Sequence, residues 1–125
     1  MLRKIKNAIM QYFYLQMKYM QSLSEQTEFE HLKMQFKEVG INFYIGKDQL
    51  IKNPSFIEIG DNFFAMDRVR IEAWDEYGGQ KFTPSIKIGN NVRFNSDIHI
   101  GAVNSIVIGD NYSTFFGFIK TNGSI

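Results

Sequence analysis

Apolar positions along this chain follow two different periods. Ile5, Ile9, Tyr12, Phe13, Met17, Met20 and Leu23 recur at the three-to-four spacing that makes one stripe on a helix. Ser24 ends this first segment. Thr27, with Glu30 three positions on, forms a capping-box start for a second helix that carries Phe29, Leu32 and Phe36 on one side and stops at Gly40. The pattern predicts a helical hairpin over residues 1–40.

After Gly40, β-branched residues alternate with Gly, Asn and Asp corners, and only Pro54 and Pro84 interrupt as rigid turns. One phrase, Ile-x-Ile-Gly-(Asp/Asn)-Asn, occurs as Ile57-Glu58-Ile59-Gly60-Asp61-Asn62, Ile86-Lys87-Ile88-Gly89-Asn90-Asn91 and Ile106-Val107-Ile108-Gly109-Asp110-Asn111. A fainter relative is Tyr44-Ile45-Gly46-Lys47-Asp48. The phrase glycines are 29 and 20 residues apart, and subtracting three hexads leaves remainders of 11 and 2. Ile88, Phe94 and Ile100 then share one phase, as do Ile59, Ala65 and Ile71, with Val92 and Ile98 on a second apolar phase. The eleven-residue remainder, residues 77–87, contains Gly78-Gly79 and Pro84 and predicts a loop with a strand lead-in.

A six-residue period fits a chain that runs a short strand, turns a corner and repeats around a triangular prism. The phase-one residue points inward, glycine passes a tight corner, and the following Asn or Asp tolerates a left-handed turn while bonding its own backbone. Stacked coils form parallel ladders about 4.8 Å apart. Independent turns in a β-sandwich would leave the shared phase unexplained. The expected fold is mainly β, a short parallel β-helix after a helical hairpin. Within one domain, residues 1–40 form a helical cap, 41–111 the hexapeptide-repeat coils and 112–125 an atypical tail.

Composition narrows the function. The chain's 125 residues suffice for one modest core, and 44% hydrophobic with 22% charged is ordinary for a folded globular protein. A net charge of +1, from 14 basic residues scattered among 13 acidic ones, disfavours nucleic acid as a partner. The absence of cysteine removes thiol catalysis and thiolate metal sites. Met1-Leu2-Arg3-Lys4-Ile5-Lys6 begins like a signal peptide, but Asn7, Gln11, Gln16 and Lys18 interrupt the adjoining stretch and no small-residue cleavage site appears. No run approaches the roughly 20 apolar residues of a membrane span. The expected location is cytoplasmic.

Residues 53–111 resemble the hexapeptide-repeat acyltransferases, and most closely the sugar and capsular-polysaccharide O-acetyltransferases. The resemblance is carried by Asn53-Pro54, the Ile57 copy, a Gly-rich excursion after Ile71-Glu72-Ala73, Ile88-Gly89-Asn90-Asn91 and Asp97-Ile98-His99-Ile100-Gly101-Ala102, in that order. It implies a left-handed coil, a trimer, acetyl-coenzyme A as co-substrate held between neighbouring β-helices, a sugar or polysaccharide acceptor, and a histidine that takes the acceptor hydroxyl's proton. In that family the catalytic His lies in an Asp-His segment about one coil beyond the third Ile-Gly-Asp-Asn copy. This chain instead reads Tyr112-Ser113-Thr114-Phe115-Phe116-Gly117-Phe118-Ile119-Lys120-Thr121-Asn122-Gly123-Ser124-Ile125. Continuing the hexad phase puts Thr114 and Lys120 inward, so the repeat is expected to end near Asn111. The tail reads as foreign sequence on a truncated enzyme, as a frameshift or early stop would give. The family function is then expected to be impaired. The alternative is a non-catalytic β-helix fragment or pseudo-subunit acting through oligomerisation.

Two histidines are present. His31, near Glu28 and Glu30, reads as a solvated helix-face residue. His99, between Ile98 and Ile100 and near Asp97, points outward from a coil face, either as a plain surface residue or as part of an acceptor cleft; it does not occupy the position of the family's catalytic histidine, so the catalytic residue is not assigned and His99 is the one candidate for a base. Three histidine ligands for zinc are not available from one chain, so no metal is expected. Trp74, on the loop Trp74-Asp75-Glu76-Tyr77-Gly78-Gly79-Gln80-Lys81-Phe82, can stack on a sugar or adenine ring or fill a subunit contact. Asp97, His99 and Trp74 are the candidate substrate-binding residues. Arg3, Lys4, Lys6 and Lys18 beside the apolar stripe allow membrane-surface contact, and capping of the coil stack is the favoured role of the N-terminal segment.

Overall fold

The computed structural model describes residues 1–114 and 118–121, the last four as backbone only. It divides into two units, Met1–Met34 and Gln35–Ile125. The first is a single helix, α1 (Leu2–Gln35), and not the expected hairpin. No Gly or Pro interrupts residues 1–39. Thr27, expected to cap a second helix, donates its Oγ1 proton to the Leu23 carbonyl at 2.9 Å, one turn back, so the hydroxyl is satisfied inside a continuing helix. Phe36 belongs to the second unit, where it is buried edge-on against Phe43.

That second unit is mainly β, built of three four-stranded parallel sheets. One holds β1 (Glu38–Val39), β4 (Ile57–Ile59), β9 (Ser85–Ile88) and β12 (Ser105–Ile108) in that order. The next runs β2 (Tyr44–Ile45), β5 (Phe64–Ala65), β10 (Arg93–Phe94), β13 (Ser113–Thr114), and the last β3 (Leu50–Lys52), β6 (Arg70–Ala73), β11 (His99–Ala102), β14 (Phe118–Thr121). The chain visits the three sheets in rotation. Ile59 pairs with Ile88, Ala65 with Phe94 and Ile71 with Ile100, as the common hexad phase predicts. All six are at most 3% exposed, and Val92 and Ile98 of the second phase are fully buried. Phe43 stacks on Phe63 at 5.6 Å, and Phe63 meets Phe94 edge-on at 5.4 Å, which fills the core with rings where the sheets converge. The eleven-residue remainder begins inside an antiparallel hairpin of β7 (Glu76–Tyr77) and β8 (Gln80–Lys81), whose turn, Gly78-Gly79, has φ of 59° and 78°.

The corners differ in detail from the expectation. It is the sixth residue of each phrase, Asn62, Asn91 and Asn111, that adopts left-handed φ. The fifth bonds the backbone of the preceding circuit and not its own: Asp61 Oδ1 accepts from Ile41 N–H at 3.0 Å, Asn90 Oδ1 from Asp61 N–H at 2.7 Å, and Asp110 Oδ1 from Asn90 N–H at 2.7 Å. The left-handed asparagines form a ladder in which Asn42 Nδ2 donates to Asn62, Asn62 to Asn91, and Asn91 to Asn111, at 2.9, 2.9 and 3.1 Å. Gly40 is therefore no helix stop but the corner glycine of a degenerate copy, with Val39 opposite Ile59. Tyr44-Ile45 pairs with Phe64-Ala65 in the second sheet and is no relative of the Ile-x-Ile-Gly phrase.

Strand pairing continues past Asn111, through β13 and β14. Ile119, and not Lys120, stands opposite Ile100, because this circuit spans nineteen residues where Ile51 to Ile71 spans twenty. Phe115 and Phe116, expected as aromatic tail residues, and the side chain of Phe118 lie outside the described residues.

Candidate functional site

Alternation along the third sheet turns Ile71, Ala73, Ile100 and Ala102 into the core and leaves Arg70, Glu72, His99 and Gly101 on the opposite face. Register sets Arg70 beside His99 and Glu72 beside Gly101. Because Gly101 carries no side chain, His99 and Trp74 both reach across toward Glu72: a Cβ built on Gly101 would sit 3.6 Å from His99 Nε2 and 3.9 Å from Trp74 Nε1.

Glu72 is a buried carboxylate, only 2% exposed. Its Oε1 accepts from Arg70 Nε at 2.8 Å and lies 2.6 Å from Arg70 Nη2, while Oε2 accepts from Trp74 Nε1 at 3.1 Å. A buried charge of this kind is tolerated only when paired and hydrogen-bonded, and the half-exposed Arg70 guanidinium supplies the pairing. His99 Nε2 stands 3.5 Å from the same Oε1, is itself buried, and makes no hydrogen bond to the described residues. The imidazole as a whole is 37% exposed, so its other nitrogen is the one left for a visitor.

These groups floor an open cleft of about 740 Å³ whose wall is aromatic: Trp74, Tyr77 and Phe82 all line it, with Trp74 and Tyr77 edge-on at 6.1 Å. The Lys52 ammonium covers the Trp74 ring at 4.2 Å, and Asn53 Nδ2 ties the loop down by donating to the Ala73 carbonyl and Asp75 Oδ1. The arrangement offers a hydroxyl-bearing ring a hydrophobic wall, a carboxylate already committed to its partners, and one imidazole nitrogen.

The structure thus brings His99 and Trp74 into one cleft. Asp97 does not join them. It is a corner residue with φ of 63°, and it forms a two-point ion pair with Arg68 at 2.7 and 3.1 Å. Hydrogen bonding from Arg68 holds the Asp97 carboxyl below its usual range, and the Arg68 guanidinium is raised in return. His31 is exposed on α1. Among the described residues no group of three or more His, Cys, Asp or Glu could hold a metal ion. Sequence reasoning missed Arg70 and Glu72. The signal was available: Glu72 lies between the inward-phase residues Ile71 and Ala73, and the hexad count that aligns Ile71 with Ile100 also sets its neighbours Arg70 and His99 side by side. No family model matches the chain, and no curated protein or solved structure matches it.

Proposed function

We propose that the second unit is a left-handed parallel β-helix of the hexapeptide-repeat acyltransferase kind, and that its cleft holds the acceptor sugar of an O-acetyl transfer, with His99 as the proton-accepting base and Glu72 as the residue that positions it. The observation that carries this is the buried Glu72 carboxylate, 3.5 Å from His99 Nε2, on the floor of an aromatic-walled cleft. With Nε2 buried 3.5 Å from Glu72, Nδ1 is the nitrogen that takes the proton of a saccharide hydroxyl as its oxygen attacks the thioester carbonyl. The new C–O bond replaces the C–S bond, and the proton passes on to the departing thiolate. A positioned base of this sort is worth roughly 10²- to 10⁴-fold. Acetyl-coenzyme A is the donor by resemblance, bound between neighbouring copies of a homotrimer, and a surface-polysaccharide sugar is the acceptor class.

Thiol release from acetyl-coenzyme A, followed with a disulfide reagent against a panel of free sugars, tests the reading, and a chain without cysteine contributes no background. Release should require a sugar and fall at least a hundredfold in His99→Ala. Saccharide binding without thiol release would remove the transferase activity and leave a sugar-holding, non-catalytic subunit. Absence of both would overturn the site.

A further inference from the structure

Every residue of α1 escapes burial, although the helix carries Ile5, Ile9, Tyr12, Phe13, Met17 and Met20, each at least half exposed. At 3.6 residues per turn, Ile5, Ile9, Tyr12, Phe13, Met20 and Leu23 fall on one half of the circumference. Arg3, Lys4 and Lys18 fall on the other with Asn7, Gln11 and Gln21, interspersed with Met10, Tyr14 and Leu15, and Gln16 lies within the apolar half. Lys6 stands within the apolar arc, where a long cationic side chain can reach past its neighbours to a polar layer. Residues 1–23 contain those four cations and no Asp or Glu; the acidic residues Glu25, Glu28 and Glu30 begin only beyond them. The helix is not long and apolar enough to cross a membrane. A broad apolar arc backed by a face whose charged residues are all cationic is the pattern of a helix lying in the plane of an anionic lipid surface.

We infer that residues 1–23 of α1 dock on an anionic phospholipid bilayer, the apolar half sunk among the acyl chains and Arg3, Lys4, Lys6 and Lys18 among the headgroup phosphates. All four cations and no acid lie within residues 1–23, which matches an anionic lipid surface along the whole segment; the competing occupant is an antiparallel second copy, which would set Glu25, Glu28 and Glu30 beside Arg3, Lys4 and Lys6. The inference is independent of the chemistry assigned to the cleft.

Co-sedimentation of the full chain with phosphatidylcholine vesicles, with and without phosphatidylglycerol, tests it. Binding should require phosphatidylglycerol, weaken with added salt, and fall about fivefold for each charge removed in Lys4→Gln and Lys18→Gln. The double variant Phe13→Ser with Met20→Ser should abolish it while the fluorescence of Trp74, in the other unit, stays unchanged and reports that unit folded. Equal binding to neutral vesicles, or no binding to either, overturns the inference. So does a sedimentation-velocity oligomer that Phe13→Ser dissolves and that ignores lipid.

Discussion

Gly60 and Gly109 occupy the same place in two copies of one phrase, yet alanine should be costly at the first and harmless at the second. Neither has positive φ, so alanine meets no backbone penalty at either site and the comparison isolates contact. A Cβ at Gly60 would lie 2.7 Å from the Gly89 carbonyl oxygen and 2.8 Å from its carbon, and would also collide with Asn90 Oδ1. The obstacle is largely backbone and cannot rotate away. That same Asn90 oxygen accepts from Asp61 N–H at 2.7 Å, so relief by moving it breaks a hydrogen bond. Overpacking costs about 1–3 kcal/mol and a lost hydrogen bond about 1 kcal/mol more. Gly60→Ala should therefore destabilise by roughly 2–4 kcal/mol, or lower Tm by about 8–32 °C at the ~4–8 °C per kcal/mol of a small domain. At Gly109 no described atom lies within 4 Å of the added carbon, and Gly109→Ala should be neutral or stabilise by up to about 1 kcal/mol through the unfolded chain. Thermal unfolding followed by Trp74 fluorescence reads both variants. Equal Tm values would refute the claim that the close approach of successive circuits, and not the corner itself, demands glycine.

Ile100→Asp should leave no cooperative unfolding transition by circular dichroism, because a fully buried site offers its carboxylate no partner among the described residues, whereas Ile100→Ala should fold and lose about 2–5 kcal/mol. Asn91 both adopts φ of 56° and bridges two ladder bonds, so Asn91→Ala should lower Tm more than Asn91→Gly, which keeps the backbone and loses only the ladder; equal values would show the ladder carries the effect alone. Gly101→Ala makes only ordinary contacts, and should leave Tm unchanged while weakening saccharide binding in calorimetry by filling the cleft floor. Arg68 depresses the Asp97 carboxyl, so the pair stabilises the fold above the unfolded pKa of about 3.9 and loses that contribution as pH falls through the lower folded value. The Tm gap between the native chain and Asp97→Asn should accordingly be present at neutral pH, close below about pH 4, and shrink in high salt because both groups are exposed.

The repeat and its inward phase were legible in the residues themselves, because burying Ile59, Ile71, Ile88 and Ile100 on one side of short strands requires a fixed period and a fixed period is visible without coordinates. The Gly-Gly turn was legible for a similar reason, since positive φ is a local demand that composition records. Residues 24–40 misled because the capping box at Thr27 and the glycine at 40 are local signals with two uses: the hydroxyl also satisfies itself one turn back within a helix, and Gly40 also serves as a corner beneath the next circuit. Nothing local distinguishes the two. The cleft lies at the far end of that scale. Glu72 and His99 are 27 positions apart and meet only because parallel register across β6 and β11, offset by the excursion after Trp74, lays one outward face beside the other and leaves Gly101 empty between them. Inward residues share one environment and so announce themselves by repetition, whereas outward residues become a site through which neighbours the sheet gives them, and only the tertiary structure decides that.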